Sequence, residues 1–64
     1  MKNYQVTVYE YDEVQDQKIK VIAEYTLAAK SRVRAGMAAG NKLKESGLQE
    51  AYKHRYCMET VEVA

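Results

Sequence analysis

Phenylalanine and tryptophan are absent from this 64-residue chain, and cysteine and histidine occur once each. A lone Cys57 excludes an internal disulfide, and Cys57 with His54 supplies too few ligands for a zinc site. No stretch approaches the roughly 20 apolar residues of a membrane span. The polar start MKNYQ lacks the pattern of a signal peptide, so a reducing, cytoplasmic setting is expected. Neither a phosphate-binding glycine loop nor a G-x-S-x-G motif is present. His54 and Cys57 stand three apart in what reads as a strand, where they point to opposite faces and make no nucleophile–base pair. The expectation is a protein that is not an enzyme and carries no cofactor or metal.

The length fits one domain, residues 1–64. Such a chain buries only about 60% of its unfolded surface, so its core is thin. Small domains often add disulfides, a metal or a partner chain, and here the partner is the option left. All six aromatic residues are tyrosines, whose apolar ring and polar tip suit half-buried positions and interfaces. The core must come from Tyr, Val, Ile, Leu, Met and Ala.

Residues 3–11, NYQVTVYEY, alternate as a strand, with Tyr4, Val6, Val8 and Glu10 on one face. Residues 18–26, KIKVIAEYT, alternate again, with Ile19, Val21, Ala23 and Tyr25 together. DEVQDQ between them suits a hairpin loop of four to six residues. Thr26 is a candidate helix cap. After it, Ala29, Val33, Gly36, Met37, Gly40 and Leu43 form an apolar stripe at helical spacing, with Gly40-Asn41 the expected place for a break. The G-x-x-x-G spacing of Gly36 and Gly40 suggests close helix-to-sheet packing. Gly47 ends the helix, or Ser46 opens a second short one with Gln49. From about Arg55 to Val63 a third strand is expected, with a bulge near Glu59-Thr60 where the apolar parity switches.

The predicted fold is α+β: β-β-α-β, a three-stranded antiparallel sheet in the order 2-1-3, with one helix on one face. The other face would carry Thr7, Tyr9, Tyr11, Lys20, Ile22 and Glu24. Two open edges remain.

Charge is distributed unevenly. Residues 27–44 hold five basic side chains, Lys30, Arg32, Arg34, Lys42 and Lys44, and no acidic one. Residues 1–26 hold three basic and five acidic groups, and residues 45–64 two and four. A basic helix on an acidic sheet protein attracts something negative. It is a solvated face, a surface for an acidic protein, or a nucleic-acid contact through phosphates. Tyr52, Lys53, His54, Arg55 and Tyr56 interleave cations with aromatics, a pattern that stacks bases, although the pI of about 7.8 is low for a dedicated nucleic-acid binder. Glu10, Asp12, Glu13 and Asp16 lack calcium-loop spacing and read as a solubilising hairpin tip.

The Tyr/Val-rich first strand, the polar hairpin, the run KVIAEYTLAAKSRVRAG and the final YCMETVEV resemble small phage-encoded β-β-α-β proteins. Some of that group, including certain anti-CRISPR proteins, inhibit host or defence machinery. The resemblance spans most of the chain in outline and rests on element order and the Ala-rich basic helix, so it carries no functional residue across. It implies a non-catalytic protein that occludes a partner. The expected partner is a protein contacted by Lys30, Arg32, Arg34, Lys42, Lys44, Tyr9 and Tyr11. The alternatives are nucleic acid bound through the helix and Tyr52, Lys53, Arg55 and Tyr56, or a homodimer joined at a sheet edge or the open face.

Overall fold

The structure, a computed structural model, describes residues 1–53 and 55–63. Five elements follow one another: β1 (Lys2–Asp12), β2 (Gln17–Ala29), α1 (Arg32–Glu45), α2 (Leu48–Ala51) and β3 (Tyr56–Val63). The sheet is antiparallel in the order β2-β1-β3 and is not closed. This is the α+β arrangement expected from the alternation of the strands.

Tyr4, Val6 and Val8 are buried on one face of β1, and the residues between them are not. The pleat sends alternate side chains to opposite faces, so this pattern locates the core. Ala29, Ala35 and Ala39 close over Tyr4 and Val6, with Tyr25, Leu27 and Met58 at the margin. Val6, Val8 and Leu43 are the largest fully buried side chains. Each contributes about 1.5–3 kcal/mol by burial, which makes a modest core.

β1 and β2 join through residues 13–16. Asp12 Oδ1 accepts hydrogen bonds from the Val14 and Gln15 N–H groups at 2.9 and 3.2 Å, a side-chain-closed turn that replaces Gly or Pro.

β2 departs from the sequence reading in two ways. First, it runs three residues past Thr26, which therefore caps nothing. Leu27 lies opposite Tyr4 and Ala29 opposite Lys2, so pairing with β1 overrides the helix preference of Leu-Ala-Ala. The helix cap is Ser31, extended at φ −153° and ψ 165°, whose hydroxyl accepts from the Arg34 N–H at 3.2 Å. Second, the β1–β2 register shifts between Val8 and Tyr9 and again between Glu10 and Tyr11, skipping Ile22 and Ile19. Val21 thus stands opposite Tyr9 and Lys20 opposite Glu10, the reverse of simple alternation. β3 pairs with β1 without interruption, so no bulge occurs at Glu59-Thr60.

α1 does not break at Gly40. It ends at Ser46 and Gly47, where Gly47 takes the left-handed conformation (φ 82°) and its N–H donates to the Lys44 carbonyl at 3.1 Å. Its buried stripe is Ala35, Ala39 and Leu43, whereas Val33 and Met37 stand 72% and 65% exposed. The helix thus turns a different side to the sheet from the stripe expected from the larger apolar residues. Alanine takes the contact positions because the helix lies close over β1. Gly36 and Gly40 face β3, yet a Cβ added to either would stand 3.9 Å from Thr60 and 3.7 Å from Met58, ordinary contact distances. Close approach therefore depends on the alanines more than on the glycines.

Candidate functional site

Lys30, Arg32, Arg34, Lys42 and Lys44 are all exposed, and none is in an ion pair among the described residues. Lys30 lies in the bend before α1, not on the helix. Arg32 and Arg34 occupy the first turn and Lys42 and Lys44 the last, with no acidic residue in the first turn. Arg32 and Lys44 are twelve residues apart on a helix rising about 1.5 Å per residue, so the helix cations span about 18 Å.

The two ends differ electrostatically. Lys42 and Lys44 lie at the negative end of the helix dipole, which favours cations. Arg32 and Arg34 lie at the positive end, which disfavours them by about 0.3–1 kcal/mol each. Ser31 is positioned for a capping box, but Arg34 stands where Glu or Gln would complete it.

The sheet treats its cations differently. Lys2 meets Glu62 at 3.6 Å, Lys20 meets Glu10 at 4.0 Å, and Lys18 binds Glu59 directly. Lys18 also lies over the Tyr9 ring, 4.7 Å from its centroid. Hydrogen bonds from Lys18 and Tyr9 hold the Glu59 carboxyl below its ordinary pKa. The hydrogen bond to Glu59 raises the pKa of Lys18, and likewise that of the Tyr9 hydroxyl.

Tyr9 and Tyr11 alternate with the buried residues of β1 and so occupy the sheet face away from α1. The fold does not bring them onto one surface with the basic helix. Tyr9 is engaged by Lys18 and Glu59, which leaves its ring partly covered.

Tyr52, Lys53, Arg55 and Tyr56 gather where α2 hands over to β3; His54, between them, lies outside the described residues, as does its geometry relative to Cys57. Lys20 lies over the Tyr52 ring at 5.9 Å. Arg55 shares a shallow cleft with Glu10, Asp12 and Glu13. Its backbone carbonyl accepts from the Tyr11 N–H at 3.0 Å, which ties this corner to the hairpin. Three carboxylates beside Arg55 oppose a phosphate, so the interleaved segment is less basic in space than in sequence.

Among the described residues no charged side chain is buried, no group of three or more His, Cys, Asp or Glu is arranged to hold a metal, and Cys57 is a half-buried free thiol. No helix among them is long and apolar enough to cross a membrane. No protein-family model, curated protein or solved structure matches this chain.

Sequence reasoning missed Ser31 and the Lys18–Glu59–Tyr9 cluster. Ser31 was detectable as a capping residue directly before the helical run. The cluster was not, because Lys18 and Glu59 are 41 positions apart.

Proposed function

We propose that this chain is a small non-catalytic interaction module that docks the cationic surface of α1 and its preceding bend on an acidic region of a partner protein, in a reducing, cytoplasmic setting. The observation carrying this reading is the contrast in pairing. Each lysine of the sheet is in an ion pair with a glutamate, while the five cations of residues 30–44 stand exposed and, among the described residues, none of them is in an ion pair. Unpaired cations retain their full field for an incoming partner and steer its approach. The placement of Arg32 and Arg34 supports the same reading. Two arginines at the wrong end of a helix weaken the free protein, and an acidic partner would reverse that penalty. The occlusion of a target implied by the likeness to small phage-encoded inhibitors belongs to this reading.

Direct nucleic-acid binding has less support. The rings of Tyr9 and Tyr52 lie under lysines, and Arg55 sits among carboxylates.

The test is capture from a cell lysate on immobilised wild-type protein and Arg34→Glu, with and without nuclease. Proteins retained by the wild type after nuclease, and lost with Arg34→Glu, are the expected result. Equal capture by both proteins would remove α1 from the reading. Capture abolished by nuclease would transfer the surface to nucleic acid.

A further inference from the structure

The two edges of the sheet are built differently. β2 carries both register shifts and presents Lys18 and Lys20, the devices that keep an edge from pairing with another strand. β3 has none of these: its eight residues contain no proline, no lysine and no shift. The Tyr11 N–H donates to the Arg55 carbonyl, so Arg55 marks a position bonded to β1. In an antiparallel ladder such positions alternate, which turns the N–H and C=O of Tyr56, Met58, Thr60 and Glu62 outward.

Apolar surface flanks this edge on both sides. Gly36 and Gly40 face Thr60 and Met58, and Val33 and Met37 lie a further step round α1 on the same shoulder, exposed. On the opposite face Val61 is 57% exposed. The accessible surface of the chain, 4621 Å², exceeds the roughly 4,200 Å² expected of a compact monomer of this mass.

From these features we infer that a second copy of this chain pairs antiparallel along β3, making a continuous six-stranded sheet. The edge is self-complementary. With the twofold axis through Glu59, Tyr56 faces the partner's Glu62 and Met58 the partner's Thr60, and all four outward residues are used. Antiparallel partners share faces, so both helices come to one side and their Val33–Met37 shoulders meet over the seam. A lone strand from another protein would satisfy the edge but leave those shoulders in water; a second copy covers both. Glu59 stands opposite its own copy across the axis, and each carboxylate is held by Lys18 and Tyr9 of its own chain, which offsets that repulsion, while Glu62 lies beside Lys2. Of the basic side chains only Lys44, seven residues after Met37, lies on the shoulder that meets the seam; Lys30, Arg32, Arg34 and Lys42 lie off it, so the inference does not rest on the basic surface.

Sedimentation of the full chain across the micromolar range tests it, with Met37→Glu and Thr60→Pro as variants and circular dichroism to confirm folding. Thr60 donates nothing to β1, so proline there removes only an outward donor. The wild type should sediment at twice the 7.3 kDa chain mass, and each folded variant as a monomer. Val61→Cys fixes the register: position 61 then faces the partner's Cys57, and oxidation should give a covalent dimer that is lost on adding Cys57→Ser. A wild type that stays monomeric overturns the inference. So does a dimer that persists in both variants and forms no crosslink.

Discussion

Ala35, Ala39 and Leu43 on one face of α1 are wholly buried, whereas Val33, Arg34, Met37 and Lys44 on the other stand in solvent. Apart from Leu43 the inner face carries alanines, while Val33 and Met37 stand on the outer face. For a helix whose only task was to cover a sheet, the reverse would be expected, since burying Val and Met removes more apolar surface from water than burying Ala. The inner face is shaped by how near the helix comes to β1. The outer face is under no packing constraint, so its content reports on something beyond the fold.

Substitutions on the two faces should therefore separate cleanly. Leu43→Ala is expected to cost about 2–5 kcal/mol, because it empties the largest fully buried position, while Met37→Ala should change the stability of the lone chain by no more than about 0.5 kcal/mol; urea denaturation at concentrations dilute enough to hold both proteins monomeric checks this. A Leu43→Ala loss as small as that of Met37→Ala would break the distinction between the faces. Next in size is Arg34→Glu. It completes the capping box with Ser31 and suits the helix dipole, so it should stabilise the isolated protein by about 1 kcal/mol while abolishing partner capture. Opposite signs for stability and binding are the signature of a residue kept for a partner. Gly40→Ala should stabilise by about 0.5–1 kcal/mol, seen as a raised Tm, because a Cβ there meets Met58 at 3.7 Å without a clash.

The smallest effect concerns the open sheet face. The pKa of Glu59 is depressed on folding, so its contribution is present above the ordinary carboxylate range and is lost as pH falls through the folded value. Lys18 and Tyr9 have raised values, so theirs is present below their ordinary values and is lost as pH rises through the folded ones. Glu59→Gln should narrow the stability difference between neutral and acidic pH, measured by thermal melts at low salt. A pH profile identical to that of the wild type would show the cluster to be without consequence.

β1 was the most legible part of the chain. Its alternation marked Tyr4, Val6 and Val8 as core, and a strand at the centre of the sheet, uninterrupted against β3, keeps its parity. β2 misled because Ile19, Val21, Ala23 and Tyr25 alternate without a flaw. Bulges arise where two strands of different twist and length must stay bonded, and no local signal of that appears in β2. The helix misled for another reason. A hydrophobic stripe is dominated by large residues, and of those this helix buries only Leu43, together with Ala35 and Ala39.

The basic cluster of residues 30–44 was readable directly, because composition within a short segment survives folding. Its isolation from every glutamate of the sheet was not, since pairing depends on residues far apart in the chain.

Strand order, element type and the concentration of positive charge were determined by the sequence alone, through alternation, turn chemistry and local composition. Only the tertiary structure decided the phase of α1, the faces of β2 between its shifts, the separation of Tyr9 from the cationic surface, and the difference between a protected edge at β2 and an open one at β3. Each of these depends on how elements distant in sequence meet, and side-chain periodicity carries no record of that meeting.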